Sequence, residues 1–361
     1  MPIVPNLVER LTMLRMNLAP GMLLDFLGAQ AFRAACAAHR LGVFDVLRDG
    51  PCTAADMAAR LKVDPRGITL LLDALVPLGY LSERAGIYAN SPMMARWLPV
   101  LGDGIRYFEA IVHEEWAQLE VSIRRGRPPV TGYERLDRDP ERWADFEAGM
   151  LAIARMSAVE VVKRTKLPRA ARRLLDVGGG HGYYSVAFCR WHPGLSATVF
   201  DQAPAAAAAK TTIDAEGMSG RVGIRIGDFW RDELGTGYDV ALLFNIVHAN
   251  VPERNIALLQ RIGAALNGGG HVVILDQLPT RGASRVAEAV ARLQGLNMFN
   301  AEEGRAYAFE EIARWLAASG FSQVRRVALP RSPGFGLVVA TTRAGARQRG
   351  AYRAASAEAR S

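Results

Sequence analysis

The sequence predicts an α/β protein in two parts: a doubly wound, seven-stranded sheet domain, preceded by a mainly α domain of winged-helix type. Three observations carry that prediction. Residues 174–201, LLDVGGGHGYYSVAFCRWHPGLSATVFD, read as strand, glycine turn, helix and strand, the unit that binds nucleotide-like ligands at the carboxyl edge of a parallel sheet. Beyond Asp201, apolar strands alternate with helical stretches, as a doubly wound sheet requires. Before residue 100, helix, short helix, turn, helix and hairpin follow one another in the order of a winged helix-turn-helix.

Taken in order, residues 22–48 read as helix, rich in alanine and apolar on a broad face, ending near Gly42 and broken by Asp49-Gly50-Pro51. Thr53 is a good N-cap for a short helix from Ala54 to Leu61. Lys62-Val-Asp-Pro turns into a second helix, Arg66 to Leu78, closed by Gly79, and Tyr80–Arg84 and Ile87–Asn90 form a hairpin about Ala85-Gly86. A DNA-reading helix needs basic and polar residues on its exposed face. RGITLLLDALVPLG has one arginine and is otherwise almost wholly apolar. It is made for burial, against a subunit partner or the rest of its own chain. Residues 101–165 read as helix with an interruption at Arg125-Gly-Arg-Pro-Pro. Trp116, Phe146, Met150 and Met156 lie on helical faces there. Singly each suits core packing; together they suit the wall of an apolar acceptor pocket.

The central unit decides the ligand. Its strand is Arg173–Val177, its helix runs from about Tyr183 to Trp191, and its second strand, Ser196 to Phe200, ends in Asp201. Glycines stand at 178, 179, 180 and 182, where positive φ and close backbone approach are open. A dinucleotide fingerprint wants G-x-G-x-x-G, but position 183 is Tyr. Asp176 lies two residues before the first glycine, where a carboxylate repels a pyrophosphate and suits an ammonium. S-adenosylmethionine (SAM) carries one, and Asp201 is placed to accept from two ribose hydroxyls. A glycine turn without a ligand and a nicotinamide site are the competing readings.

Downstream, Ala205–Glu216 reads as helix, Val222–Gly227 as a strand ending in Asp228-Phe229-Trp230, and Asp239–Phe244 as a buried strand ending in Asn245-Ile-Val-His248. Glu253–Leu266 reads as helix, Asn267-Gly-Gly-Gly as a turn, and His271–Leu275 as a strand ending in Asp276. After the segment LNMFNAEEG come an amphipathic helix, Ala306–Ser319, and two strands, about 321–328 and 336–341. Polar groups thus gather at successive strand ends: Asp176, Asp201, Asp228, Asn245, His248 and Asp276. Of six histidines, His248 falls just past the carboxyl end of a central strand, the position of a general base.

Composition bounds the rest. The chain of 361 residues is long enough for two substantial cores, and no apolar run approaches the ~20 residues of a membrane span. MPIVPNLVERLTML lacks the basic start and small-residue cleavage site of a signal peptide. Cys36, Cys52 and Cys189 have no metal spacing and no even disulfide count, so a reducing cytoplasm is expected. The net charge of +8 is weak evidence for nucleic acid: residues 343–361 hold five arginines and one acid, in an Ala/Arg/Ser/Gly tail without apolar periodicity that is expected to be disordered.

With these residues the chain resembles the class I SAM-dependent small-molecule O-methyltransferases, the group of hydroxyindole, caffeic acid and many bacterial natural-product enzymes. DVGGGHG, Phe200-Asp201, Gly227-Asp-Phe and Asn267-Gly-Gly-Gly carry the likeness, with LGVFDVL, LLLDALVPLGYL and the Tyr88 hairpin matching that family's dimerisation domain. The resemblance spans about residues 20–342. It implies a Rossmann-like SAM domain over 168–342, a winged-helix dimerisation domain over 1–100, linking helices over 101–167 that contribute to the acceptor pocket, and a homodimer. It also implies a SAM site of Asp176, Gly178, Gly180, Gly182, Asp201, Asp228, Phe229 and Asn245, the Asp228-Phe229 pair framing adenine. His248 is the implied base, Asp276 its orienting acid, and no metal is needed. Trp116, Phe146, Met150, Asn297 and Met298 are the expected acceptor contacts. Two departures stand out: His-Asp-Trp becomes His248-Ala249-Asn250, and a second orienting glutamate falls on Ala306. The reading is methyl transfer to a hydroxyl of an apolar, aromatic metabolite, with a C-methyltransferase or other SAM-using enzyme as the alternative. A winged-helix regulator that senses SAM lacks its basic recognition helix.

Overall fold

Local signals set the elements of the first unit. The computed structural model describes Val8, Leu11, Met16, residues 21–102, 104–279 and 284–343, and the chain divides into two units after Glu109. The basic tail beyond Arg343 lies outside the described residues. Helix α1, Gly21–Leu41, ends at Gly42, whose φ of 84° interrupts it, and the chain resumes as α2, Val43–Asp49. A short strand β1, Cys52–Thr53, leads into α3, Ala54–Leu61, through a capping box: Asp56 N donates to Thr53 Oγ1 at 3.1 Å and Thr53 N to Asp56 Oδ2 at 3.3 Å. Asp64 caps α4, Pro65–Leu75, by accepting from Gly67 N at 2.7 Å. That helix stops short of the expected Leu78, because Pro77 has no N–H to extend the ladder. Strands β2, Leu81–Arg84, and β3, Ile87–Asn90, complete a small sheet in the order β1-β3-β2. Ile68, Leu72 and Leu75 of α4 pack into this unit's own core with Phe44, Met57 and Leu81. The apolar second helix is therefore largely consumed within its own domain. Helices α5, Pro92–Leu101, and α6, Gly104–Ala110, follow.

The second unit begins with a π-helical turn, Ile111–Glu115, a 3-10 turn, Trp116–Gln118, and helix α7, Leu119–Arg125. Gly126, at φ 73°, ends α7 before the Pro-Pro pair. Thr131 caps α8, Gly132–Arg138, and Asp139 caps the 25-residue α9, Pro140–Arg164.

The sheet is then laid down as β4 (Arg173–Val177), α10 (Tyr183–Trp191), β5 (Ser196–Asp201), α11 (Ala203–Ala215), β6 (Val222–Ile226) and β7 (Tyr238–Phe244). A 3-10 turn, Val247–Ala249, precedes α12 (Pro252–Ala265) and β8 (Leu266–Gln277). Helices α13 (Arg285–Ala301) and α14 (Phe309–Ala318) and strands β9 (Phe321–Ala328) and β10 (Phe335–Thr342) close it. The order is β6-β5-β4-β7-β8-β10-β9, with β6 to β8 mutually parallel and β10 antiparallel to both neighbours. Successive residues face opposite cores: Leu175, Val177 and Ala241 on one side, Leu174, Val199 and Val240 on the other. A parallel sheet covered on both faces needs such unbroken apolar runs.

Two segments differ from expectation. Asn267-Gly-Gly-Gly is an irregular start to β8, with the pairing to β7 shifting between Tyr238 and Val240, and not a separate turn. LNMFNA is the last part of the 17-residue α13, and the next helix begins at Phe309 instead of Ala306. The helix period there was obscured by polar residues that serve buried contacts: Asn297 and Asn300 are both inside.

Candidate active site

The site forms where β4 enters the glycine turn. Asp176 is 2% exposed, and its Oδ2 accepts from Ser185 Oγ at 2.7 Å. Burial pushes its carboxyl up to about 7, against that hydrogen bond. Gly178 and Gly180 sit at φ 66° and 50°. A Cβ on Gly178 would lie 2.6 Å from Ile246 Cδ1, and one on Gly180 2.9 Å from Glu147 Oε2. The turn is a bare-backbone cradle that side chains would fill. From the end of β5, Asp201 Oδ2 accepts from Gly180 N at 2.8 Å and Oδ1 from Gln202 N at 2.7 Å. Burial still raises its carboxyl above the usual carboxylate range.

A cavity of about 330 Å³ opens on this edge. Asp176, Gly178, Gly180, Asp201, Phe229 and Asn245 line it, together with Phe146 and Met150 of α9. Asn245 holds a φ of 57°, and its buried Oδ1 has no hydrogen-bond partner among the described residues. Two expected donor contacts stand off the wall. Gly182 makes room for Ile213 and Val199, where a Cβ would lie at 3.3 and 3.4 Å; it lets helix and strand pack closely. Asp228 caps its own turn by accepting from Trp230 N at 2.8 Å, while Phe229 and Trp230, ring centroids 5.1 Å apart, face the cavity.

His248 follows β7 on the 3-10 turn and is 6% exposed. Its Nδ1 is 2.7 Å from Asp276 Oδ1 and 2.8 Å from Gln277 Oε1, and its backbone N donates to Asp276 Oδ2 at 3.1 Å. Two acceptors at one ring nitrogen place the proton on Nδ1 and leave the Nε2 lone pair as the basic one. Burial disfavours the imidazolium, but the Asp276 charge, the hydrogen bonds of Asp276 and Gln277 and the Glu302 charge outweigh it, and the histidine ends above its ordinary pKa. The turn is tied in place: Asn255 Nδ2 donates to Val247 O at 3.0 Å, Asn250 Nδ2 to Ile246 O at 2.8 Å, and Tyr307 Oη to Asn250 O at 2.7 Å. His248 and Asp276 are not on the wall of the cavity; Ile246 and Ala249, on either side of the histidine, are. Ala306 is buried against Gly295.

Trp116 and Asn297 are joined, Trp116 Nε1 donating to Asn297 Oδ1 at 2.7 Å, and Met298 is buried on the same helix, but none of the three lines the cavity. Met156 is 48% exposed and no part of an apolar wall. Sequence reasoning missed Tyr133, Trp143, Glu147, Gln277, Glu302 and Arg254. Trp143, Glu147 and Met150 are spaced i, i+4, i+7 on α9 and share a face, so an acid on an apolar stripe was the available signal. Glu302 Oε1 accepts from Tyr133 N at 3.2 Å, and burial pushes its carboxyl up to about 7. Arg254 lies over the Trp230 ring, 4.3 Å from its centroid. Among the described residues, no group of three or more His, Cys, Asp and Glu side chains could hold a metal.

These residues fit a nucleoside joined to an amino acid. Asp201 and the Phe229–Trp230 pair line one cavity, with the unpartnered Glu147 Oε2 and Asn245 Oδ1 as acceptors still free among the described residues. Sheet order and site together define a Rossmann-like, SAM-dependent methyltransferase. Residues 106–322 match the O-methyltransferase domain family and residues 24–99 the O-methyltransferase dimerisation domain. The chain belongs to the SAM-dependent O-methyltransferase family, enzymes that methylate small molecules. It is 34% identical, over 85% of its length and 90% of the relative's, to 3-hydroxy-5-methyl-1-naphthoate 3-O-methyltransferase of Streptomyces sahachiroi. It is 26% identical to L-tyrosine C(3)-methyltransferase of Streptomyces lavendulae, over 87% of this chain and 90% of that protein. The solved human N-acetylserotonin methyltransferase in complex with SAM matches its fold with a TM-score of 0.80, at 22% identity, across 95% of this chain and 100% of that one. No described helix is long and apolar enough to cross a membrane.

Proposed function

We propose that the protein transfers the SAM methyl group to a hydroxyl of an apolar, aromatic secondary metabolite, with His248 as general base. The observation that carries this is the Nδ1 of His248 held between Asp276 and Gln277, which leaves Nε2 to take a proton. When bound, SAM supplies a sulfonium methyl with its leaving group already in place. The chain's own work is alignment and proton removal. The glycine cradle, Asp201, Asn245 and Phe229 bind the donor, and Phe146 and Met150 turn an apolar wall toward an acceptor. His248 takes the hydroxyl proton as the oxygen attacks, and the Asp276 carboxylate stabilises the imidazolium that results. A positioned base contributes roughly 10²–10⁴-fold, and alignment more. The relative that methylates a naphthoate hydroxyl supports an aromatic acceptor.

Methylation at carbon is the second reading, favoured by the tyrosine C(3)-methylating relative and by Ala306 in place of an orienting glutamate. Incubation with labelled SAM and a panel of phenols, naphthols and hydroxynaphthoates, followed by NMR of the products, decides it. Only ring-carbon methylation, or none on any phenol or naphthol, would overturn the oxygen reading.

The same proposal makes residues 1–100 the dimerisation domain, 101–167 acceptor-side helices and 168–342 the donor-binding catalytic domain. On α1, Met22, Leu23 and Phe26 are 83%, 45% and 57% exposed, a patch suited to a second copy of the chain. Light scattering at micromolar concentration should give a dimer. Three free, buried cysteines suit a reducing cytoplasm.

A further inference from the structure

Glu147 is the buried acid that the methyl-transfer mechanism leaves unused. It sits in the first third of α9, 4% exposed, on the cavity wall. The His181 backbone amide hydrogen-bonds its carboxylate, yet Oε2 has no hydrogen-bond partner among the described residues. Burial and the neighbouring Asp201 charge push the carboxyl up to about 8, and no cation among the described residues pairs with it. A buried polar atom without a hydrogen-bond partner costs stability, so the site is incomplete until a ligand supplies a donor to Oε2. Its surroundings are those of a cation box: Trp143 lies 5.9 Å from Phe146 at 87° and 6.2 Å from Tyr133, and all three line the cavity with Glu147. Aromatic walls attract cations, and an orphaned carboxylate oxygen wants N–H donors. A sulfonium has none; an ammonium has three.

Asp176 is the competing acid, and its geometry is different. Its Oδ2 is already occupied by Ser185 Oγ at 2.7 Å. The Gly179 backbone lies over it so closely that a Cβ there would be 2.7 Å from the carboxylate carbon. Glu147 Oε2 instead faces Gly180, on the turn that hydrogen-bonds Asp201.

Resting on the SAM reading of the site, we propose that Glu147, walled by Tyr133, Trp143 and Phe146, is the residue that takes the α-ammonium of the methyl donor, in place of Asp176. Selection for the amino-acid end of the donor is then set by α9, outside the glycine turn.

Calorimetry on the full chain tests this with S-adenosylhomocysteine and its deaminated analogue, which keeps the carboxylate and lacks only the ammonium. Wild type should favour the aminated ligand. Glu147→Gln should weaken that ligand roughly 10- to 100-fold while binding the deaminated one as wild type does, which also reports an intact fold. Asp176→Asn should retain the preference. Equal weakening of both ligands by Glu147→Gln would make the residue a ribose contact or a structural group, and no weakening would remove it from the site; either overturns the proposal. Failure of wild type to bind either ligand would instead overturn the SAM reading beneath it.

Discussion

The two ends of the site are built on opposite principles. Around the glycine turn, polar atoms are left unfinished: Glu147 Oε2 and Asn245 Oδ1 are buried without partners, and burial raises Glu147, Asp176 and Asp201 alike. Around His248 the network is nearly closed: Nδ1 is shared by Asp276 and Gln277, the turn is held by Asn250, Asn255 and Tyr307, and of these groups Asn255 Oδ1 lacks a partner among the described residues. An unfinished region stores instability that a ligand relieves, because each unpaired buried group costs about 1–3 kcal/mol. A finished region holds one side chain in one tautomer and orientation. On the proposed function, the difference separates the end that would bind from the end that would react.

The sharpest test of that division is His248→Gln. Single-turnover methyl transfer should fall about 10²–10⁴-fold, with affinity for S-adenosylhomocysteine nearly unchanged. The pH profile follows from the raised histidine. Below its pKa the imidazole is protonated and unable to accept; as pH rises through it the neutral form appears and the rate climbs to a plateau. His248→Gln should flatten that rise. A variant with wild-type rate across pH 6 to 9 would remove the histidine from the chemistry and make the closed network merely structural.

The reverse effect is expected at the open end. Asp201→Ala should weaken S-adenosylhomocysteine by about 1–3 kcal/mol, read by calorimetry, and lower turnover mainly through that loss. An unchanged affinity would show that Asp201 serves only its contacts to Gly180 and Gln202. The smallest effect belongs to Ala306→Glu. With Asp276 and Gln277 already on Nδ1, a further acid should change the single-turnover rate by less than about tenfold. A larger gain would mean that the closed network leaves the imidazole poorly oriented.

The central unit was legible without coordinates because its signals are local. Glycines at positive φ, a strand of five residues and an acid at the next strand end are set by backbone sterics and period-two burial, and Arg173–Val177 and Tyr183–Trp191 fall where the pattern places them. His248 and Asp276 were likewise readable as residues at the ends of adjacent parallel strands. Three things waited for the tertiary structure. Helix α13 hides its period behind Asn297 and Asn300, whose partners Trp116 and Glu115 lie far back in the chain. Gln277 turns toward His248 only because β8 runs beside β7. Glu147 reads in sequence as one more helical charge. Only packing of α9 over the glycine turn buries it, strips it of water and leaves an oxygen with nothing to bind. Sequence determines what each backbone segment prefers to be; burial, and the absence of a partner, belong to the fold as a whole.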